Sequence, residues 1–246
     1  MDMKNKVVVI TGGGKGLGKE LSKVLAEEGS KVVICSRNKD ELSKICREIA
    51  NKNGFCEYFV TDITEKSQVD RFINDIITKH KKIDVLINNA GYVHNWEAVE
   101  DITEDELESS FKTNVYSIFY FLKRVTPIMK KQNEGAIINI SSMAGKRGVP
   151  NLSAYSASKF AVIGLTQAVA KELKDTGVYC ISVCPGGMNT GMREKVFGAV
   201  DAQKQQDPKF VANVIKDVLY GRIKVPHGGD IVIRHGKVDS INAAPQ

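Results

Sequence analysis

Apolar residues come first in short unbroken runs, and between those runs they return at helical spacing. Val7-Val8-Val9-Ile10 is one run; residues 31–35, 55–61, 83–87, 136–138 and 178–184 are others. A run that is apolar at nearly every position suits a strand buried on both faces, as in a parallel sheet covered by helices. Leu21, Val24 and Leu25 then predict a helix that closes at Gly29. Further helices are expected over 40–51, 64–80, from about Pro150 to Lys174, and from Pro208 through Val211, Val214, Ile215, Val218 and Leu219. Thr103 with Glu106 makes a capping box. It opens a long helix to about Gln132 whose Phe111, Val115, Ile118, Phe119, Phe121, Leu122, Val125 and Ile128 cover more than one stripe. A helix apolar on two sides needs two partners. The sheet is one, and a second subunit is the expected other. Pro127 is expected to kink this helix. Residues 230–234 add a seventh strand, and the tail 240–246 reads as disordered. Strand and helix alternate throughout, with no linker or repeat, so 1–246 reads as a single α/β domain.

The strand ends carry the chemistry. The first runs into Thr11-Gly12-Gly13-Gly14-Lys15-Gly16-Leu17-Gly18 and then a helix. Glycines there let a pyrophosphate approach the backbone, and the free N–H groups of the helix start face the anion. After the second strand, where an acidic residue would bind the ribose 2′-hydroxyl of NAD, the chain has Ser36 and Arg37. With Lys15 in the glycine loop, these cations favour a 2′-phosphate and hence NADP(H). Asp62-Ile63 follows the third strand. Asp62 suits either the adenine amino group or the cap of the next helix. Asn88-Asn89-Ala90-Gly91 ends the fourth strand and reads as a hydrogen-bonded corner beside a cofactor. In the following loop, His94 and Trp96 either touch substrate or simply cover the loop.

Residues 138–165 organise the rest. Tyr155 and Lys159 are four apart on a helix and share one face. An ammonium favours the phenolate, so Tyr155 is expected to exchange a proton near neutral pH. Ser142 lies just past the fifth strand, where a parallel sheet opens its ligand crevice. Asn114, a polar side chain on an apolar face, must be hydrogen-bonded and is placed to hold a water linked to Lys159. Pro185, Gly186 and Thr190 form the turn after the sixth strand. Residues 191–206 are charged, with few apolar residues, and read as a substrate lid.

Composition narrows the partners. The chain has 26% charged and 42% hydrophobic residues and a net charge of +6, ordinary for a globular domain. The positive charge is spread out, without the aromatic interleaving of a nucleic-acid surface. No apolar run reaches membrane-spanning length, and the N-terminal residues run straight into a strand without a signal-peptide core. Cys35, Cys46, Cys56, Cys180 and Cys184 are odd in number and form no C-x-x-C. They read as five reduced thiols in a cytoplasmic protein. Histidines are scattered, and no metal site is expected.

Thr11-Gly12-x-x-x-Gly16-x-Gly18, Asp62, Asn88-Asn89-Ala90-Gly91, Asn114, Ser142, Tyr155-x-x-x-Lys159 and Pro185-Gly186 with Thr190 occur in one order and spacing. With them the chain resembles the short-chain dehydrogenase/reductase family over nearly its whole length. The resemblance implies a doubly wound Rossmann fold, with a seven-stranded parallel sheet and helices on both faces. It implies a tetrad of Asn114, Ser142, Tyr155 and Lys159. Tyr155 is then the acid/base, Ser142 polarises the carbonyl, Lys159 binds the nicotinamide ribose and Asn114 anchors a relay water. Lys15 and Arg37 match NADP-preferring members. The implied activity is hydride transfer between NADP(H) and a small-molecule carbonyl or alcohol. Alternatives are a 3-oxoacyl-thioester reductase, a sugar or alcohol dehydrogenase working oxidatively, and a non-catalytic NADP sensor. Residues 225–237 depart from the T-G-Q … D-G-G pattern of many members. A homodimer or homotetramer is therefore expected through the helices carrying Asn114 and Tyr155.

Overall fold

In the computed structural model, which describes residues 1–245, one sheet runs through the chain in the order β3-β2-β1-β4-β5-β6-β7-β8. The strands are β1 (Val7–Thr11), β2 (Lys31–Ser36), β3 (Phe55–Val60), β4 (Val85–Asn88), β5 (Gly135–Ile140), β6 (Val178–Pro185), β7 (Asp230–Arg234) and β8 (Lys237–Asn242). The first seven are mutually parallel. The connecting helices are α1 (Gly16–Glu27), α2 (Lys39–Ala50), α3 (Lys66–His80), α4 (Glu104–Phe111), α5 (Ser117–Gln132), α6 (Ser153–Glu172), α7 (Gly191–Phe197), α8 (Ala199–Gln203) and α9 (Pro208–Leu219). The architecture is the doubly wound α/β Rossmann fold.

The apolar runs explain the two layers. Side chains alternate between faces along a strand, so a run apolar at every position feeds two cores. Val8, Ile10, Val32, Ile34, Ile138 and Ile181 meet Leu21 and Leu25 of α1, Ile45 of α2 and Ile215 of α9. Val7, Val9, Val33, Leu86, Ile137 and Cys180 meet Phe72 of α3, Phe121 of α5 and Val162 of α6.

Three expectations are corrected. The sheet has an eighth, antiparallel strand, so residues 240–242 are ordered; Gln246 lies outside the described residues. His235 and Gly236 join β7 to β8 with positive φ at both (54° and 67°), which suits a two-residue hairpin turn. The strand is polar because it lies at the sheet edge, and polarity disguised it. The long helix runs through Pro127, which α5 contains, and carries a π turn over Lys112–Tyr116 between α4 and α5. The third helix begins at Lys66, two residues later than Thr64, because Asp62 and Thr64 form a turn of their own. Finally, Cys46 and Cys56 are joined as a disulfide between α2 and β3, with Cα atoms 4.9 Å apart. The odd count and absent C-x-x-C could not reveal a pairing made by a helix–strand hairpin. The cytoplasmic reading rested on free thiols and loses that support. The other three cysteines are buried.

Candidate active site

Because β1 is flanked by β2 and β4, the loops that leave it and β4 turn to opposite sides and open a crevice at the carboxyl rim. Two clefts occupy that rim. The first, about 530 Å³, is lined by Gly12, Gly14, Lys15, Gly16 and Leu17, by Ser36, Arg37, Asp62 and Ile63, and by Asn89, Ala90 and Gly91. Tyr155, Lys159 and Thr190 close its far end. The second, about 890 Å³, holds Ser142, Tyr155, Pro185, Gly186 and Thr190 against Trp96 and the α7 residues Met192, Val196 and Phe197. Tyr155 and Thr190 belong to both walls. Ser141, Met188 and Met192 do too, though no local pattern in the sequence marks them.

The glycines make the first cleft's floor. A side chain at Gly18 would collide with the Gly12 carbonyl and the Asn89 amide, so Gly18 packs α1 against β1 and does not line the cleft. Gly12 has φ +66° and touches Ala90. The first turn of α1 has no side-chain cap, which leaves its N–H groups for an anion. Asn89 donates to the Thr11 and Gly12 carbonyls, and Thr11 Oγ1 accepts from the Asn89 and Ala90 N–H groups. Asn88, expected at the same corner, is instead core. Its amide donates to Asn139 at 2.8 Å, and Asn139 donates to Thr166 of α6 at 3.0 Å. Asp62 lines the cleft while accepting from the Thr64 N–H and hydroxyl, so it caps a turn and not the helix.

Asn114 sits in the π turn, fully buried. Such turns recur at functional sites because they re-aim one side chain. Its Oδ1 accepts from the Tyr92 N–H at 2.8 Å, and its Nδ2 donates to the Tyr92 carbonyl and to Ser158 Oγ, each at 2.9 Å. One oxygen lone pair remains free. A Cβ at Gly91 would lie 3.4 Å from Asn114 Oδ1 and 3.6 Å from Lys159 Nζ. The glycine keeps open the space between them. Of the two serines after β5, Ser141 donates to the Lys159 carbonyl, whereas Ser142 faces the second cleft beside Tyr155. Trp96 packs edge-on against Phe197 at 5.0 Å, linking the loop after β4 to α7. His94 is buried and does not line either cleft.

A family model for short chain dehydrogenases matches residues 6–201. This chain belongs to the short-chain dehydrogenase family. It is an oxidoreductase acting on carbonyl or alcohol groups. It is 33% identical over 196 residues to the 3-oxoacyl-[acyl-carrier-protein] reductase FabG of Thermotoga maritima, covering 80% of this chain and 79% of that one. Levodione reductase superposes with a TM-score of 0.89 at 25% identity, covering 95% of this chain and 97% of its own. NAD+-bound xylitol dehydrogenase does so with 0.85 at 28%, covering 95% and 99%.

Within this dehydrogenase, burial governs the charges. Burial lowers the Lys159 pKa to about 8, against a small opposing effect of Cys184. Its Nζ donates to the Ile140 carbonyl at 3.0 Å and stands 5.7 Å from the centre of the Tyr155 ring. Burial raises the Tyr155 hydroxyl, and the Ser142 hydroxyl partly opposes that rise. The Tyr155 pKa is therefore raised by burial, not lowered as the Lys159 charge led one to expect. Among the described residues no cluster of three or more His, Cys, Asp or Glu could hold a metal. No helix among them is long and apolar enough to cross a membrane.

A lysine whose folded pKa falls from 10.5 to about 8 destabilises the fold below pH 8. That penalty fades as pH rises towards 10.5, because the unfolded chain binds more protons in that window. Lys159→Met should therefore raise the stability of the cofactor-free protein at pH 7 by roughly 1–3 kcal/mol, less the lost bond to Ile140. Denaturant melts at pH 7 and pH 10 should show the advantage shrinking at the higher pH. An equal advantage at both would refute the buried-charge account.

Proposed function

We propose that the protein is an NADP(H)-dependent reductase that converts a carbonyl to a secondary alcohol, or runs in reverse, with Tyr155 as acid/base. The observation that carries this reading is that Tyr155 is a common wall of the two clefts, with Ser142 in one and Lys159 in the other. The first cleft suits a dinucleotide: Gly12 and Gly16 at positive φ, an uncapped helix start and a polar strand-end corner line it. A bound nicotinamide supplies or accepts hydride at the substrate carbon. Ser142 donates a hydrogen bond to the substrate oxygen. Tyr155 gives that oxygen a proton in reduction and takes it back in oxidation. Lys159 holds the ribose and favours the phenolate by its charge. Asn114 ties the Tyr92 backbone to α6 and offers its free lone pair to a relay water.

Lys15 and Arg37 support NADP(H). Both line the first cleft, and among the described residues neither has an ion-pair partner. The competing reading is NAD(H), favoured by the carboxylate of Glu41 in the same cleft. We also infer that the whole chain works as one domain and as a dimer. Leu107 (46% exposed) and Phe119 (53%) on α4 and α5, Tyr116 beside them, and Phe160 (47%) on α6 form an apolar face without an internal partner. β8 covers the edge of β7, so the helices and not the last parallel strand are the available surface.

Tyr155→Phe should lower kcat by about 10²-fold or more and leave NADPH affinity, read by fluorescence titration, within about threefold. Near-normal turnover would remove Tyr155 from the mechanism. Lys15→Ala with Arg37→Asp should weaken NADPH relative to NADH by at least about tenfold; an unchanged ratio would favour the NAD(H) reading. Light scattering should give twice 27.0 kDa or a multiple of it, and Phe119→Glu with Phe160→Glu should give monomer. A wild-type monomer would dismiss the interface.

A further inference from the structure

Four cationic side chains and a single carboxylate line the second cleft, and from this we infer that the substrate carries a carboxylate or phosphate away from its reacting carbonyl. This deepens the reductase reading and rests on it. Arg147, Arg193, Lys204 and Arg234 all line the cleft, with Asp207 the one carboxylate among its lining residues. Asp207 is committed, since its side chain caps α9 by accepting from the Lys209 N–H at 2.8 Å. The four cations come from three separate places. Arg147 follows the turn after β5, Arg193 and Lys204 flank the α7–α8 segment, and Arg234 ends β7. Only the folded rim assembles them.

The cations differ in what already holds them. Arg193 binds Asp201 through Nε at 2.5 Å, and its guanidinium carbon lies 3.6 Å from the centre of the Phe197 ring. Arg234 pairs with Asp239 through Nε at 2.9 Å. Both are fixed in place with compensated charge. Arg147 and Lys204 have no carboxylate or other side-chain partner among the described residues. Lys146, the neighbour of Arg147, is bound to Asp230 at 2.7 Å, which anchors the turn that presents Arg147. An unpaired guanidinium on an anchored turn, in a cleft shared with the acid/base, suits an anionic group of the substrate. Guanidinium recognises carboxylate and phosphate through paired N–H donors.

The rest of the lining describes the substrate's body. Val93, Leu152, Met188, Val196 and Phe210 are apolar. At about 890 Å³ the cleft has room for a chain between Tyr155 and the cations. The substrate class is thus an oxo acid, hydroxy acid or phosphate ester with an apolar middle. A neutral ketone, polyol or sterol would leave Arg147 and Lys204, both exposed, facing solvent alone.

The test uses the full chain and NADPH with 4-oxopentanoate, 5-oxohexanoate and 9-oxodecanoate, their methyl esters, 5-oxohexyl phosphate and 2-heptanone. For at least one anion, kcat/KM should exceed that of its uncharged counterpart by about tenfold or more. The preference should fall as salt is raised. Arg147→Ala should cut the ratio to within about threefold while leaving the ester unchanged, and Arg147→Lys should restore part of it. Calorimetry of the same anions and esters with the Tyr155→Phe protein loaded with NADPH gives a reading independent of turnover. Ester turnover with no preference for charge, or a preference that survives Arg147→Ala and Lys204→Ala, would overturn the inference and leave the reductase reading intact. Absence of turnover on every compound would count against the reductase reading; anion binding that vanishes in Arg147→Ala would still uphold the charge assignment, and equal binding of anions and esters would end it.

Discussion

The structure turns on placing one ammonium out of water. Lys159 is 3% exposed and rests on a single backbone carbonyl, that of Ile140 at the end of β5. A buried cation is unfavourable unless its surroundings supply compensation. Much around it has no other purpose. Ser141 holds the Lys159 backbone, and Gly145 is a glycine because a side chain there would run into the Lys159 backbone and Ser141. Gly91 keeps the space in front of the ammonium clear. The polar ladder Asn88–Asn139–Thr166 fixes α6 against β4 and β5, so the helix presents Tyr155 and Lys159 in one orientation. A buried charge of this kind is characteristic of functional sites, where the surrounding fold fixes it in place.

Sequence pattern reaches a long way into such a protein. The strand runs were legible because strands buried on both faces leave no polar positions. The glycine turn, the Asn89 corner and the Tyr155–Lys159 pair were legible because each is local: a turn, a strand end, one helix face. What stayed hidden is assembled by topology. β8 is polar because it is an edge, and it reads as a tail until the His235–Gly236 hairpin is seen. Cys46 and Cys56 meet only once α2 folds back along β3. Asn88 looked like a cofactor corner because nothing in its neighbours announces Asn139, which is 51 residues away. The π turn over Lys112–Tyr116 has no sequence signal comparable to a proline, yet it is what sets Asn114 in place.

The two clefts divide recognition by chemistry. The first is built from backbone, glycines and a strand-end corner, with Lys15, Arg37 and Lys159 among its walls. The second draws on the segments after four strands, β4 to β7, and its walls mix cationic, aromatic and apolar side chains. A parallel sheet permits this division, since every strand delivers its following loop to the same rim. Loops can then vary without disturbing the layers that hold the proton donor.

The hairpin at the end of the sheet has a geometric corollary. β8 starts beside the second cleft, at Lys237 opposite Arg234, and ends at Asn242 opposite Asp230, on the far rim. The end of β7 and the turn also secure the end of the α7–α8 segment, because the Gly236 N–H and the Ile233 carbonyl both bond the Gln206 side chain. The polypeptide thus departs the sheet on the side away from the reacting groups. A fusion partner, affinity tag or surface tether attached at the carboxyl end would leave the mouth of the cleft unobstructed, whereas an insertion at the His235–Gly236 turn would sit in the substrate's path.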